Sequence, residues 1–473
     1  MNKVKIVCTL GPKTSSLQYI KKFKNEGMDI VRLNGSHGSI DWIKKTILDI
    51  RRSFPTIPVL VDLPGSKIRI VHLNVNKNLV LGEIVIFTCD EKYKGSKKLT
   101  LNNNLIYKKV KVNSKVLADD GNLVFKIIKK SKKDIYCKVL SDGTLKTGKG
   151  ISFNIIDTRK ELISKEEIKL IKVLKNNMPD FVGVSYTKNK DHIKKIKKLL
   201  NQDKIKVIAK IENSYGIKNL KGILKVADGI MIDRGDLSLS PGIVNIAIAQ
   251  KDIIKLAQLY RKPTIIATEL LSSMIKKTLP TKPEISDVTN AVYDGCSATM
   301  LSEETVSERH PHLIVRTMKK IIDTTLMHQL KKQNLNRKNS DISNAASKAA
   351  VEICKNLPIS KIIVITKTGF AARLLSLHNL KQNVYAVTNC EYTARSFNLI
   401  RGTEGIYLNI NFFQKSTDHI IGTLKKLYKI KKINNNDLIL IVAVGYPKKG
   451  NKMNLIQIHQ VKDLVETFKW RKS

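Results

Sequence analysis

The sequence predicts an α/β fold: a (β/α)8 TIM barrel with an inserted small all-β lid domain and a C-terminal α/β domain. Three features of the chain predict it. Short apolar runs alternate with amphipathic segments, one connection between two runs is far longer than the others, and the alternation restarts after about residue 330. Strands that alternate with helices form parallel sheets, and eight such units close into a barrel. A doubly wound open sheet is the alternative fold.

Eight β-rich runs account for the barrel. Each is rich in apolar residues, as is typical of strands that are buried on both faces of a parallel sheet. Segments with helical periodicity, such as residues 40–53 and 187–201, separate most of them. The eight runs lie at residues 4–8, 29–33, 57–62, 180–184, 205–211, 227–232, 263–268 and 297–301.

The long connection between the third and fourth runs predicts the inserted domain. It contains two turn signals, Asp120-Gly121 and Asp142-Gly143, next to β-like runs. Hairpins about such turns build small antiparallel sheets. A domain inserted at the end of a barrel strand would lie beside the active-site face, where it could close as a lid.

The domain boundaries follow from these breaks in the pattern. The polar segment of residues 331–341 is typical of a linker. A helix at residues 342–356 then opens the last domain, with strands at 361–366, 383–388 and 437–443. The expected segments are residues 1–69 and 156–330 for the barrel, 70–155 for the inserted domain, and 340–473 for the C-terminal domain.

Composition limits the classes of function. The chain holds 85 Lys and Arg against 40 Asp and Glu, a formal net charge of +45. Such a charge raises the hypothesis of a basic nucleic-acid-binding protein. The lysines are spread evenly, without a basic arm or an aromatic-interleaved stripe, so we expect compositional drift and no specific nucleic-acid partner. No apolar stretch has the length of a membrane span, so we expect no membrane partner.

The six cysteines, at positions 8, 89, 137, 296, 354 and 390, are scattered along the chain. None has a second Cys or a His at the spacing of a metal site. Disulfides are rare in cytosolic proteins. We therefore predict reduced thiols and a cytoplasmic location.

Catalytic groups of a barrel lie at the carboxyl ends of its strands, and here those ends are unusually polar. Lys210 and Glu212 stand two residues apart, so both point to the same side of the fifth strand. Asp236, in the loop after the sixth, would complete a two-carboxylate site for Mg²⁺, which prefers carboxylates together with substrate oxygens and water. Lys210, Arg32 and Arg69 would then hold phosphate, which is the set of groups that phosphoryl transfer needs.

Each of these residues also has a purely structural interpretation. Lys210 and Glu212 could form an ordinary ion pair. Asn34, Ser36 and Asp62 could be turn and cap residues. The functional interpretation depends on six polar strand ends that follow one another in order along the chain.

These residues resemble the pyruvate kinase family over nearly the whole chain. The resemblance implies transfer of the phosphoryl group of phosphoenolpyruvate to ADP, giving pyruvate and ATP in glycolysis, by a homotetramer. The matching motifs, in order, are KIVCTLGPKTSS (5–16), GMDIVRLN with SHG (27–38), VDLPGSKIR (61–69), VIAKIEN (207–213), DGIMI with RGDL (228–237), PTIIATELL (263–271), PTKPEISDVTNAVYDG (280–295) and MLSEET (300–305).

The resemblance also implies a role for each matching position. Lys210, Arg32 and Thr268 would be catalytic residues: Lys210 would stabilise the phosphoryl group in transit, and Arg32 would contact the substrate phosphate. Gly235, Asp236 and Thr268 would hold the substrate carboxylate, with Thr268 near the carbon that receives a proton. The remaining implied sites are Mg²⁺ at Glu212 and Asp236, K⁺ at Asn34, Ser36 and Asp62, and the nucleotide at Asn34, His37 and Arg69.

Several residues depart from the family pattern. Gly35 replaces the usual Phe, which is expected to remove a packed ring and to give the loop freedom. Asp233 replaces a small residue and would add negative charge near an anionic substrate, offset in part by Arg234 or by the metal. Glu269 and Glu303 replace Gln and Gly. The alternative hypotheses are therefore a catalytically impaired paralogue with a structural or binding role, or another barrel enzyme that acts on enolates with Mg²⁺.

One further motif lies in the C-terminal domain. Thr366, Thr368 and Gly369 follow a strand and open a helix, where free N–H groups suit phosphate. The family binds a phosphorylated effector at this place. Phe370 and Ala371 replace the polar residues usual there, so a plain strand–helix turn is the alternative interpretation.

Overall fold

Four sheets organise the chain in the computed structural model. One is a closed barrel of eight strands, and the others have seven, two and five strands. This arrangement confirms the predicted fold class. The structure describes residues 3–65, 68–71, 76–118, 121–145, 150–153, 163–237, 243–307, 309–330, 341–412, 416–443 and 453–470.

The first part of the barrel holds three strands and two helices. Ser16 and Ser39 cap the helices, because each hydroxyl accepts a hydrogen bond from a backbone N–H of the first turn. Gly27 ends the first helix at φ 117°, a left-handed conformation that a residue without a Cβ adopts readily. The elements are β1 (Lys5–Leu10), α1 (Leu17–Glu26), β2 (Ile30–Asn34), α2 (Ile40–Ser53) and β3 (Val59–Asp62).

The inserted segment is built almost entirely of strands. Its elements are β4 (Ile70–Val71), β5 (Lys77–Leu79), β6 (Ile84–Thr88), β7 (Leu99–Leu101), α3 (Ile106–Lys109), β8 (Lys115–Ala118), β9 (Leu123–Ser131), β10 (Asp134–Val139), β11 (Gly143–Leu145) and β12 (Ile151–Phe153). The seven-stranded sheet has the order β12-β8-β9-β10-β6-β7-β4, and β11 pairs with β5. This segment has its own apolar core, in which the Phe87 and Phe125 rings pack edge to face.

The Asp120-Gly121 signal falls in the connection between β8 and β9, which pair antiparallel with Ala118 opposite Leu123. Asp120 itself lies outside the described residues, and Gly121 has a φ of 96°. A second hairpin turns where no Asp-Gly signal stands: only Lys132 and Lys133 separate β9 from β10, and Lys132 has a φ of 51°. The Asp142-Gly143 signal connects β10 and β11, which belong to different sheets. The sequence therefore predicted the β8–β9 hairpin but missed the one at Lys132, because two lysines carry no turn signal of their own.

The second part of the barrel completes the alternation of strands and helices. Ser164 with Glu167, and Thr281 with Glu284, form capping boxes at two helix starts. Short 3-10 turns occupy Ile243–Asn245 and Ser272–Ile275. The elements are α4 (Lys165–Asn177), β13 (Phe181–Val184), α5 (Lys190–Leu200), β14 (Lys206–Ile211), α6 (Ser214–Lys218), α7 (Leu220–Val226), β15 (Gly229–Asp233), α8 (Arg234–Leu237), α9 (Ile246–Leu259), β16 (Thr264–Ala267), α10 (Lys282–Asp294), β17 (Ala298–Leu301), α11 (Glu303–Val306) and α12 (Pro311–Leu330).

The barrel closes in the order β1-β17-β16-β15-β14-β13-β3-β2, and neighbouring strands are parallel throughout. Apolar residues that cluster inside it include Ile30, Leu60, Ile208 and Met231. Residues two positions further along the same strands face the same way. These are Arg32, Asp62, Lys210 and Asp233. The barrel interior is therefore apolar toward its amino-terminal end and charged at its carboxyl-terminal end.

The C-terminal domain has a five-stranded sheet of order β20-β19-β18-β21-β22. Its elements are α13 (Ile342–Asn356), β18 (Lys361–Ile365), α14 (Phe370–Ser376), β19 (Asn383–Thr388), α15 (Glu391–Phe397), β20 (Thr403–Tyr407), α16 (His419–Lys429), β21 (Leu438–Ala443), β22 (Leu455–Gln460) and α17 (Val461–Thr467). The helix and the three strands predicted from the sequence are confirmed. The sequence missed β20 and β22, which lie at the two edges of the sheet and carry more polar residues than the central strands.

The contacts between the C-terminal domain and the amino-terminal end of the barrel include an apolar contact and a shared carboxylate. Leu399 packs among the residues of the barrel interior. Asp180, which is fully buried, accepts hydrogen bonds from Arg395 Nε of the C-terminal domain at 2.7 Å and from Arg51 Nη2 at 2.5 Å. It also accepts the N–H of Val59 at 2.8 Å. One carboxylate therefore neutralises two guanidinium groups from different domains.

All six cysteines are free, as predicted. Among the helices of the described residues, none combines the length and the apolarity that crossing a membrane requires.

We expect Asp180→Ala to destabilise the protein by about 3–5 kcal/mol, because it removes the nearest counter-charge of Arg51 and of the buried Arg395. Thermal unfolding followed by circular dichroism measures the effect. Glu352→Ala is the control: it breaks the solvent-exposed pair with Lys355 and should leave the unfolding temperature unchanged. Equal unfolding temperatures for Asp180→Ala and Glu352→Ala would contradict the proposed importance of this junction.

Candidate active site

The ammonium group of Lys210 lies at the centre of the charged end of the barrel. Its Nζ is 2.9 Å from Glu212 Oε1, 3.2 Å from Asp62 Oδ2 and 3.4 Å from Asp233 Oδ2. These carboxylates come from the ends of β14, β3 and β15, so one cation joins three strands. The side chains of Lys210 and Glu212 meet, as their spacing predicts.

Arg32 holds the other side of the Asp62 carboxylate. Its Nη2 and Nε donate to Asp62 Oδ2 at 2.8 and 3.2 Å, and its Nη1 donates to Thr9 Oγ1 at 3.2 Å. Both Arg32 and Asp62 are buried. Asp62 Oδ1 accepts no hydrogen bond from the described part of the chain. That oxygen therefore keeps lone pairs for a ligand.

The charges of this cluster shift one another's protonation equilibria. Burial by itself would raise the pKa of Asp62, but Lys210 and Arg32 outweigh burial and hold that pKa below its ordinary value. Burial would likewise lower the pKa of Lys210, yet Asp62, Glu212 and Asp233 raise it. Burial raises the pKa of Glu212, and the nearby Asp233 and Asp236 add to the rise against the opposing effect of Lys210. Lys210 therefore stays charged, and Glu212 takes up a proton more readily than an ordinary glutamate.

Three carboxylates lie close enough to share one cation. Glu212, Asp233 and Asp236 each offer an oxygen, and these oxygens lie within 4.8 Å of one another. From the sequence, Glu212 and Asp236 were predicted to form the metal site, and Asp233 was expected only to repel the anionic substrate. The structure adds Asp233 to the cluster, because it is the last inward-facing residue of β15.

Of the two groups expected to offset the charge of Asp233, Arg234 is paired with another carboxylate. Its Nη1 pairs with the Asp287 carboxylate of α10 at 2.6 Å instead. Asp233 faces the barrel axis, while Arg234 begins α8 and extends toward α10. Lys210 is the cation that faces Asp233.

The Arg234–Asp287 pair also holds the backbone after β16. Arg234 Nη2 donates to the carbonyl oxygens of Thr268 at 2.7 Å and Glu269 at 3.0 Å. Thr268 and Glu269 have φ values of 67° and 54°, in the left-handed region that side chains with a Cβ rarely adopt. Such strain persists only where surrounding contacts impose it, and it is common at functional sites. Sequence reasoning missed this clamp, since nothing local links Arg234 to Asp287.

The strained turn presents the Thr268 hydroxyl to the site. Its Oγ1 accepts the N–H of Gly235 at 3.0 Å and lies 3.3 Å from Asp233 Oδ1. The structure thus brings Thr268 and Gly235 together, next to Asp236, as their predicted common role requires.

Tyr186 is a second residue that sequence reasoning missed. Its N–H donates to Glu212 Oε2, and its phenol is hydrogen-bonded to Asp236. Burial raises the pKa of the Tyr186 phenol well above its ordinary value, and the charges of Asp236 and Glu212 add to the rise. A neutral tyrosine therefore orients both carboxylates from β13. The only local signal for it is its place directly after a barrel strand, since β13 ends at Val184, two residues before Tyr186.

The turn after β2 is packed rather than free, so the expectation for Gly35 was wrong. Its N–H donates to the Asp62 carbonyl at 2.9 Å. A Cβ at this position would lie 2.3 Å from that carbonyl oxygen and 2.7 Å from a methyl group of Leu170. The close approach of backbone and side chains, not loop freedom, is what glycine permits here.

The predicted K⁺ and nucleotide residues lie around this turn. Asn34 pairs with Asp62 across β2 and β3, and its Oδ1 accepts the N–H of Ser36 at 3.0 Å. Ser36 and His37 are exposed. Arg69 stands at the root of the inserted segment, where its N–H donates to Asn102 Oδ1 at 2.7 Å.

The candidate effector loop is a short turn between β18 and α14. Thr366 Oγ1 accepts the N–H of Gly369, which has a φ of 73°. Thr368 is exposed, and its carbonyl accepts Arg373 Nη1 at 2.9 Å. The guanidinium of Arg261 lies over the Phe370 ring, with its Cζ 5.1 Å from the ring centroid.

Two family models match the chain. "Pyruvate kinase, barrel domain" covers residues 1–315, and "Pyruvate kinase, alpha/beta domain" covers residues 344–459. A pyruvate kinase of Staphylococcus epidermidis is 33% identical over 482 residues, which span 98% of this chain and 81% of the relative. One of Staphylococcus aureus is 32% identical over 478 residues, with the same two coverages.

The matches span both large domains, and the charged cluster lies where the family resemblance placed it. The chain therefore belongs to the pyruvate kinase family.

Proposed function

We propose that this chain is a pyruvate kinase, which transfers the phosphoryl group of phosphoenolpyruvate to ADP and releases pyruvate and ATP. The observation that carries the proposal is the position of Lys210, a buried cation that joins three carboxylates at the carboxyl end of the barrel. Arg32 contacts one of these carboxylates, so two cations stand where the substrate phosphate would bind. The hypothesis of an impaired paralogue has no support in the site, because the departures at Gly35 and Asp233 leave those groups in contact.

Lys210 and Arg32 bind the phosphate of phosphoenolpyruvate. As the bond from phosphorus to the enol oxygen breaks and a bond to an ADP oxygen forms, negative charge spreads over the phosphoryl oxygens. A fixed ammonium group in a water-poor site stabilises that charge far more than it would in water. The nearby carboxylates keep Lys210 charged before the substrate binds, so no proton has to move to supply this cation.

The substrate carboxylate is held on the opposite side of the reacting atoms. The N–H groups of Gly235 and Asp236 bind it together with the Thr268 hydroxyl. In the free enzyme the Gly235 N–H is donated to Thr268 Oγ1, so the substrate takes over an existing hydrogen bond. The enolate that remains after phosphoryl transfer gains its proton at carbon, beside Thr268.

Glu212 and Asp236 hold Mg²⁺, and Asp233 offers a third oxygen. The closeness of three carboxylate oxygens fits a cation that prefers oxygen ligands. When bound, Mg²⁺ neutralises charge on the phosphate oxygens and fixes their position. Tyr186 keeps Glu212 and Asp236 oriented, and Glu212 must be deprotonated to bind.

The remaining assignments follow the family. K⁺ lies at Asn34, Ser36 and Asp62. This assignment is supported by Asp62 Oδ1, which accepts no hydrogen bond from the described residues. The nucleotide lies near His37 and Arg69, beneath an inserted domain that closes as a lid. A homotetramer is supported by exposed apolar residues near α9, such as Val244 and Ile248. The free thiols support a cytoplasmic location. The absence of a specific nucleic-acid partner and the effector at Thr366, Thr368 and Gly369 stay predictions.

The first prediction for this function concerns Lys210. Pyruvate formation from phosphoenolpyruvate and ADP, with Mg²⁺ and K⁺, should fall about 10²–10³-fold in kcat for Lys210→Met, since a charge that stabilises the transferring group is lost. Lys190→Met, an exposed lysine at the same end of the barrel, is the control and should match the parent. A parent without pyruvate formation would refute the function, and an active Lys210→Met would refute the role of that residue.

The second prediction concerns Asp233. At saturating Mg²⁺, Asp233→Ala should lower the KM for phosphoenolpyruvate, because it removes a negative charge that faces Lys210. The change should be largest at low ionic strength, where charges are least screened. Glu303→Ala removes an exposed carboxylate on the nearby α11 and should leave KM unchanged. An unchanged or higher KM in Asp233→Ala would show that its charge does not oppose the substrate.

A further inference from the structure

A cavity of about 550 Å³ lies between the barrel and the C-terminal domain. Its barrel wall includes Thr264 and Ser297, at the amino-terminal ends of β16 and β17, and its other wall includes residues of α14. It therefore lies at the opposite end of the barrel from Lys210. Neither the family's active site nor the turn between β18 and α14 occupies this place.

The cavity is lined by more positive than negative charge. Arg261, Lys262, Arg373 and Arg401 line it, against one carboxylate, Asp294. That carboxylate is already paired with Lys251 on the outer surface, at 2.5 Å. The charge of the cavity wall is therefore strongly positive.

Three of these cations are held by backbone carbonyl oxygens. Arg401 Nη1 donates to the Cys296 carbonyl at 2.9 Å, and Arg401 is only 6% exposed. Arg373 Nη1 donates to the Thr368 carbonyl at 2.9 Å, and Lys262 Nζ donates to that of Ala227 at 2.6 Å. Within the described ranges, none of the three has a carboxylate at ion-pair distance.

Neither Arg261 nor the carboxylate of Asp228 changes this balance of charge. Arg261 pairs with Asp341 at 3.3 Å. Asp228 acts on Lys262 and Arg373 from a distance, but it is itself paired with Lys197 at 2.8 Å. Burial lowers the pKa of Arg401, Arg373 and Lys262, which shows that their charged forms are poorly solvated. Buried charge without a counter-ion is costly, and an anion would offset that cost.

We propose that this cavity is a binding site for a phosphate-bearing small molecule. Guanidinium groups pair with phosphate through two parallel hydrogen bonds, and Lys262 adds a point charge. The volume suits a small organic ligand rather than a bare ion. Tyr293 and His328 form one side of the cavity, joined by a 2.7 Å hydrogen bond, and can contact the organic part.

Such a ligand would join the two domains directly. Lys262 and Arg401 belong to the barrel and to the C-terminal domain respectively, so a phosphate held by both cross-links them. Arg373, in the middle of α14, lines the cavity and also donates to the Thr368 carbonyl of the turn before this helix. The site is nevertheless distinct from that turn, because none of the turn residues 366–369 lines the cavity.

Isothermal titration with inorganic phosphate and with glycerol 3-phosphate, at constant ionic strength, tests the proposal. We expect Lys262→Gln with Arg373→Gln to weaken binding at least about tenfold, as loss of charge-assisted hydrogen bonds implies. Lys255→Gln, an exposed lysine of α9 outside the cavity, should bind like the parent. Tighter binding of the ester than of phosphate would show that the organic part is also held.

Two further variants separate this site from the others. Lys210→Met removes the phosphate-binding cation of the active site, and Thr366→Val with Thr368→Val alters the turn before α14; both should retain the binding that the cavity provides. If the double variant does not fold, Lys262→Gln alone replaces it, and we expect this variant to weaken binding by a smaller factor. No binding of either probe, or binding lost in Lys210→Met or in the threonine variant but kept in the cavity variants, would overturn the proposal.

Discussion

The site depends on one buried ammonium group, that of Lys210. Three carboxylates within hydrogen-bonding distance of it would repel one another in a low-dielectric interior if the cation were absent. Because the carboxylates end β3, β14 and β15, the same cation that serves the chemistry also fixes three strands relative to one another. Arg32 extends this network to β2. Catalytic charge and the geometry of the barrel's carboxyl end are therefore one system.

A second set of contacts orients the groups around this cation. Arg234, paired with Asp287, holds the left-handed turn at Thr268 in place, and Tyr186 orients Glu212 and Asp236. These contacts come from a helix of the outer layer and from a neighbouring strand. They explain how strained and like-charged groups persist at the end of the barrel: each is held by a partner that is not itself part of the reaction.

The sequence predicted what depends on local pattern. Apolar runs located all eight barrel strands, and the two-residue spacing of Lys210 and Glu212 placed both side chains inside. What it could not predict depends on distant partners. Arg234 was expected, as one of two possibilities, to offset the charge of Asp233, but its partner is Asp287. Gly35 was expected to loosen a turn that Leu170 and the backbone of Asp62 fill, and the hairpin turn at Lys132 carries no residue that favours turns.

Glu212 and Asp233 contact Lys210 and also belong to the cluster that fits a metal. It follows from the proposed function that Lys210 and a divalent cation compete for these carboxylates, and that metal binding frees Lys210 to face the substrate phosphate. Direct titration with Mn²⁺ as a substitute for Mg²⁺, without substrate and followed by electron paramagnetic resonance, measures this competition. We expect Lys210→Met to bind Mn²⁺ more tightly than the parent. Equal or weaker binding in Lys210→Met would contradict it.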